Sequence, residues 1–306
     1  MRHFLDIRDR TGEDLVRLLD LAKRLKTARA GRPKGACDDD PALAGRRLLM
    51  LFEKPSTRTR LSFDLAIRQL GGDALDLDGA KLQLGRGESI EDTARILSLF
   101  GDAIAFRGRR HADLLTMAGV ARVPVINALT DRSHPCQALA DLLTIREEFG
   151  RIEGLAVAYL GDANNVARSL MEAVVTAGGE FRLACPADIP PDEDFRAFAA
   201  AHEGRVRLVH DAGEAATGAD VIYTDTWHSM GLEHGEEANA IFAPFRVDAA
   251  LMARAADHAI FLHCLPAHRG EEVVAEVIDG PASRVWRQAE NRLHAQKAIL
   301  IDCLAD

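Results

Sequence analysis

Short apolar runs alternate with amphipathic stretches along nearly the whole chain. The runs at 47–52 (RLLMLF), 103–106, 123–129, 155–160, 182–185, 206–209, 221–224 and 259–265 are mostly continuous in hydrophobicity, without polar alternation. That pattern predicts strands covered on both faces, as in parallel sheets. Helical patterns lie between them. One follows "PST", with Phe63, Ile67 and Leu70 at helical spacing, and stops at Gly71-Gly72, a C-terminal signal. "VARSLMEAVVTAGG" (166–179) ends the same way, and "HPCQALADLLTIREEFG" (134–150) is a third. The segment 28–45 reads as a loop, and no internal repeat or low-complexity tract interrupts the alternation. The expected fold class is α/β: two doubly wound domains, each with a central parallel sheet flanked by helices. The domain boundary is expected near the end of the third helix, giving domains over 1–147 and 148–285. A C-terminal helix over 286–306 is expected to pack back on the first domain.

Polar clusters follow the strands. "KPSTRTR" comes after 47–52, Arg107 after 103–106, "TDRSHPCQ" after 123–129 and "GDANN" after 155–160. "DTWHSMG" follows 221–224, and "HCLP" closes 259–265. In open α/β sheets ligands bind at the carboxyl ends of the strands, so each half has an expected binding edge. The active site is expected in the interdomain cleft.

Pro55 and Ser56 look like a helix start with Ser56 as its cap. A helix N-terminus offers backbone N–H groups and a positive dipole end to an anion. The hydroxyls of Ser56, Thr57 and Thr59 add donors, and the Arg58 guanidinium can grip two phosphate oxygens. A capped surface helix with solvated arginines would read the same way; Arg107 and His134 at neighbouring strand ends favour a phosphate. His134 alone is as consistent with a structural role, but with Gln137 at a helix start it can orient a carbonyl or amide. In the second half, Asp225, Ser229, Asn164 and Asn165 suit an amino acid's ammonium and carboxylate, or are ordinary turn residues. "GDANN" lacks the spacing of a dinucleotide loop.

Composition narrows the picture. The net charge of −9 argues against an overall nucleic-acid or anionic-membrane binder, so a cationic site must be local. Five scattered cysteines fit free thiols in a reducing compartment. The first residues have no signal-peptide or transit-peptide pattern, and no apolar run is long enough to span a bilayer. A soluble cytoplasmic protein is expected. His263, Cys264 and His268 lie close together, but no paired cysteine motif supports zinc, and no metal is expected. Cys264 suits a place beside a nucleophilic amine, or the commoner role of a small buried thiol.

The ordered set "FEKPSTRTRLSF", "QLGRGESIEDTAR", "HPCQALADLLTI", "GDANNVA", "DTWHSMG", "FLHCLPAHRGEEV" and "AENRLHAQKA" resembles the aspartate/ornithine carbamoyltransferase superfamily and, within it, its ornithine branch. "SMG" and "HCLP" carry the choice of branch. The resemblance implies a carbamoyl-phosphate-binding first domain, an ornithine-binding second domain, and a homotrimer or a multiple of trimers. It implies carbamoyl transfer to the δ-amine of L-ornithine, giving L-citrulline and phosphate in arginine metabolism, without a cofactor. Siblings using another amine, or a non-catalytic anion binder of the same fold, are the alternatives. By resemblance Ser56, Thr57, Arg58, Thr59, Arg107 and Arg292 hold carbamoyl phosphate, with His134 and Gln137 on its carbamoyl group. Gln83, Cys264 and Leu265 complete the implied carbamoyl-phosphate set, Gln83 on a loop that reaches a neighbouring subunit's site. Asn165, Asp225, Ser229 and Met230 match ornithine-binding positions, and Cys264 and Leu265 line the reaction centre. The implied catalytic set is Arg107, His134, Asp225 and Cys264.

Overall fold

The computed structural model describes residues 2–54, 56–78, 87–227 and 237–305. It divides into two compact units, Met1–Ala140 with Asn291–Asp306, and Asp141–Glu290.

In the first unit, strands β1 (Arg47–Phe52), β2 (Asp73–Asp78), β3 (Ala103–Arg107) and β4 (Val125–Leu129) form a sheet in the order β2-β1-β3-β4. All three pairings are parallel. The N-terminal segment runs on beside β4, where Phe4 exchanges backbone hydrogen bonds with Val125 and Asn127. Helices α1 (Gly12–Ala28), α2 (Thr57–Gln69), α3 (Ile90–Leu97) and α4 (His111–Val120) belong to this unit. Leu49, Leu51, Ile104, Phe106, Leu114, Met117 and Val125 form its sheet-to-helix core. Burying side chains of this size is worth about 1.5–3 kcal/mol each, which is what holds polar strand ends in fixed places.

In the second unit, β5 (Ala156–Leu160), β6 (Glu180–Ala184), β7 (Val206–Val209), β8 (Val221–Thr224) and β9 (Ile260–His263) make a parallel sheet in the order β7-β6-β5-β8-β9. Around it lie α6 (Asn165–Thr176), α7 (Glu193–Ala201), α8 (Ala212–Ala216), α9 (Glu237–Phe242), α10 (Ala249–Met252) and α11 (Ala275–Ile278). α5 (Pro135–Phe149) and α12 (Val285–Leu304) each begin in one unit and end in the other, because the divisions fall after Ala140 and after Glu290.

The strand β2 has no counterpart among the expected strands. Its sequence, DALDLD, alternates acidic and apolar residues, unlike the continuous runs elsewhere. β2 is an edge strand of its sheet with Leu75 47% exposed, so it needs less apolar cover. The expected stop of α2 at Gly71-Gly72 has a steric basis. Gly71 has a φ of +88°, and a Cβ on Gly72 would lie 2.4 Å from the Arg46 carbonyl oxygen.

Register brings the polar clusters side by side. Phe52 pairs with Arg107 and Arg107 with Leu129, so "EKPSTRTR", Arg107 and "TDRSHPCQ" leave one edge of the first sheet. In the second sheet Leu160 pairs with Thr224 and Thr224 with His263. "GDANN", "DTW" and "CLP" therefore leave three adjacent strands at the same level.

Candidate active site

In the first unit the cluster is cationic. Ser56 caps α2, its hydroxyl accepting the Thr59 N–H at 3.4 Å. Arg58 lies exposed in that first turn, whose N-terminus carries the positive end of the helix dipole. Thr59 is 1% exposed, and its Oγ1 accepts from Arg107 Nη1 at 3.4 Å and Arg292 Nη2 at 2.7 Å. A hydroxyl whose oxygen receives two donors has its proton left to donate. Arg292, buried on α12, also donates through Nη1 to Gln137 Oε1, which leaves the amide nitrogen of Gln137 as its donor end. Thr59 and Gln137 are neutral, so these contacts fix the guanidiniums without cancelling their charge.

His134 stands at the cap of α5, where its carbonyl accepts the N–H groups of Gln137 and Ala138. Burial, followed by the charges of Arg292, Arg107 and Arg58, holds its imidazole well below the usual histidine range. It is therefore neutral near pH 7. The loop before it is braced from below. Asn127 Nδ2 donates to Ser133 Oγ at 2.9 Å, and the Ser133 N–H donates to Thr130 Oγ1 at 3.4 Å. His111 lies 3.0 Å from Thr130 Oγ1 and 3.2 Å from Asp6 Oδ2.

The second unit has the opposite sign. Asp225, at the end of β8, is buried; its Oδ1 accepts the Cys264 thiol at 3.0 Å and its Oδ2 accepts Asn164 Nδ2 at 3.0 Å. Asn164 caps α6, its Oδ1 accepting the N–H groups of Val166 and Ala167 at 2.9 and 3.0 Å. Tyr159 Oη donates to the same oxygen at 3.1 Å. Asn165 is the next residue, in the first turn of α6. Leu265, beside Cys264, sits at φ +59°, a left-handed conformation uncommon for a side chain without a local hydrogen bond of its own.

Of the expected site residues, Ser56, Thr57, Arg58, Thr59, Arg107, His134, Gln137 and Arg292 fall in the first unit. Thr59, Gln137, Arg107 and Arg292 are directly linked there. Asn165, Asp225, Cys264 and Leu265 fall in the second. Gln83, Ser229 and Met230 lie outside the described residues.

Sequence reading did not assign Asn164 to orienting Asp225, nor the layer beneath it. The chain's two tyrosines, Tyr159 and Tyr223, stack at 5.5 Å between centroids. Tyr223 Oη donates to Asp141 Oδ2 at 3.2 Å, and Gln288 Nε2 donates to Asp141 Oδ1 at 2.7 Å. Burial, then the nearby carboxylates and thiol, pushes both phenols well above their ordinary range, so they act as fixed donors. A signal existed in the sequence: a tyrosine inside an apolar strand needs a hydroxyl partner.

The donor atoms of Asp225, His263 and Cys264 lie within 4.8 Å of one another, as do those of His268, Glu271 and Glu272. The first trio is poorly suited to a metal. His263 Nδ1 accepts the Leu265 N–H at 2.8 Å and its Nε2 lies 3.1 Å from Glu272 Oε1, so both ring nitrogens are committed.

Known proteins resemble this chain over nearly its whole length. Residues 2–147 match the family model "Aspartate/ornithine carbamoyltransferase, carbamoyl-P binding domain". Residues 153–303 match "Aspartate/ornithine carbamoyltransferase, Asp/Orn binding domain". The ornithine carbamoyltransferase of Rhizorhabdus wittichii is 56% identical over 303 residues, 99% of this chain and 98% of its own. That of Caulobacter vibrioides is 50% identical, covering 99% and 97%. Among solved structures, ornithine carbamoyltransferase from Pyrococcus furiosus superposes with a TM-score of 0.92 at 50% identity, covering 99% of this chain and 97% of that one. The Thermus thermophilus enzyme gives 0.88 at 43% identity, covering 98% of each.

Proposed function

The chain belongs to the aspartate/ornithine carbamoyltransferase family, and from that membership we propose that it joins carbamoyl phosphate to L-ornithine, giving L-citrulline and phosphate. The observation that carries this reading is the buried neutral imidazole of His134 among Arg58, Arg107 and Arg292. Three nearby cations suit a dianionic phosphoryl group, and a neutral imidazole suits the carbonyl attached to it.

Ser56, Thr57, Arg58, Thr59, Arg107 and Arg292 take the phosphate end, and His134 and Gln137 take the carbamoyl end. Asp225 and Cys264 aim the δ-amine, while Asn165, Ser229 and Met230 are assigned to the rest of the amino acid. Leu265 lines the reaction centre, and Gln83 is assigned to a neighbouring copy's site within a homotrimer or a multiple of trimers. No helix among the described residues is long and apolar enough to cross a membrane, and a cytoplasmic location in arginine metabolism fits the reading.

The attacking amine must be neutral. An alkyl amine titrates at about 10.4, so near pH 7.5 roughly one molecule in a thousand is ready, a deficit of about 4 kcal/mol. Neighbouring guanidiniums and the exclusion of water lower that pKa, so the groups that hold carbamoyl phosphate also favour the reactive amine. The amine nitrogen bonds to the carbamoyl carbon, and the carbonyl oxygen becomes negative. In this reading Arg107, His134 and the Thr59 hydroxyl donate to that oxygen, each well-placed donor being worth a few kcal/mol. The carbon–oxygen bond to phosphate then breaks, and the departing phosphate takes the proton from the amine. Cys264 orients the amine in this scheme and forms no covalent intermediate.

The test is one assay. Purified protein is incubated with carbamoyl phosphate and, separately, ornithine, acetylornithine, putrescine and aspartate, and the ureido product is scored. Ornithine as the preferred acceptor supports the reading; preference for another amine, or no turnover with any, contradicts it.

A further inference from the structure

Glu272 is a buried carboxylate that the reaction does not use. It is fully covered by protein, as is the His263 side chain beside it. Burial works to raise its pKa, but hydrogen bonds from His263 and the backbone N–H of His268 outweigh it and hold the carboxyl below its ordinary range.

The connections of this carboxylate lead to the reacting loop. Glu272 Oε1 is 3.1 Å from His263 Nε2 and accepts the His268 N–H at 2.6 Å. The other nitrogen of His263, Nδ1, accepts the Leu265 N–H at 2.8 Å. An Nδ1 that accepts carries no proton, so the ring proton is on Nε2, facing the carboxylate. One oxygen therefore fixes the loop 264–268 twice, through the ring to Leu265 and directly at His268. At the first tie Leu265 adopts its left-handed backbone, and Cys264, just before it, reaches Asp225 Oδ1 at 3.0 Å. At the far end His268 Nδ1 lies 3.2 Å from Thr226 Oγ1, on the residue after Asp225.

We propose that Glu272 is a positioning residue for carbamoyl transfer: by fixing the tautomer of His263 and tethering His268, it sets the loop that holds Cys264 against Asp225. This rests on the reading of Asp225 and Cys264 as the groups that aim the amine. What matters on this account is an acceptor oxygen at the reach of a glutamate, not its charge.

Two substitutions separate those properties. Glu272→Gln keeps an acceptor oxygen at the same reach and loses the charge. Glu272→Asp keeps the charge and withdraws it by one methylene. Glu272→Gln is expected to stay within about threefold of wild type in kcat/KM for ornithine. Glu272→Asp should fall by about 10²-fold, the scale of a misplacement near 1 Å. Loss in Gln equal to that in Asp, or full activity in Asp, overturns the proposal.

Thiol labelling gives a second readout that does not depend on turnover. In a Cys37→Ser background the thiols other than Cys264 are buried, with Cys136, Cys185 and Cys303 pushed up to about 12, 11 and 12. A maleimide then reports Cys264. Its labelling should accelerate several-fold in Glu272→Asp and stay at the wild-type rate in Glu272→Gln; equal rates in both overturn the proposal. If wild type makes no ureido product while labelling follows this pattern, the functional reading fails and the tether stands.

Discussion

The two units present the same architectural edge with opposite chemistry. In the first, three arginines lie near a neutral imidazole, and Arg107 and Arg292 donate to oxygens of Thr59 and Gln137. In the second, a carboxylate is held by a thiol and an amide, with a second imidazole tied to Glu272. Both clusters leave the carboxyl ends of parallel strands whose registers bring the ends level. The difference teaches that the sheet supplies only the place. The charge of a few side chains sets the two edges apart.

The largest break should come from Arg292→Ala. This guanidinium organises Thr59 and Gln137 together, so kcat/KM for carbamoyl phosphate is expected to fall by about 10³-fold, the upper range for one preorganised donor. A loss under tenfold in steady-state kinetics would show that Arg107 and Arg58 suffice. Next comes Asp225→Asn, expected to lower kcat/KM for ornithine by roughly 10²-fold through the loss of a charged hydrogen bond. Calorimetric affinity for carbamoyl phosphate should not change. Cys264→Ala removes one neutral contact to Asp225 and should cost about tenfold. Complete inactivity in a folded variant that still binds ornithine would refute an orienting role.

The smallest effect concerns pH and the imidazole of His134. His134 has its folded pKa depressed, so the sign is that of a group kept neutral by folding. Above its ordinary value of about 6.5 both folded and unfolded chains are neutral there, and the full stability is present. As pH falls below that value, the unfolded chain binds a proton that the folded chain refuses, and stability is lost. Relative to His134→Gln, wild type should therefore lose up to about 1.4 kcal/mol per pH unit below pH 6.5 in denaturant titrations. Parallel curves for the two proteins would contradict a neutral, cation-surrounded His134.

Much of this was legible in the sequence because it rests on local rules. Continuous apolar runs marked eight of the nine strands among the described residues, and the polar clusters after them lie at strand ends that register brings level. β2 escaped because its acidic-apolar alternation at a sheet edge carries no continuous run. What stayed hidden was the orienting layer. That Asn164 serves Asp225, or that Glu272 reaches Leu265 through His263, depends on strands far apart in sequence being level in space. Spacing along the chain cannot express that. The helices α5 and α12, each divided between units, were placed by periodicity, but not the residue at which each passes from one unit to the other.

The most direct test of the division between the units is a calorimetric titration of carbamoyl phosphate into wild type, Arg292→Ala and Asp225→Asn. Affinity should collapse in Arg292→Ala and match wild type in Asp225→Asn. Equal weakening in both, with both variants folded, would contradict the assignment of one substrate to each cluster.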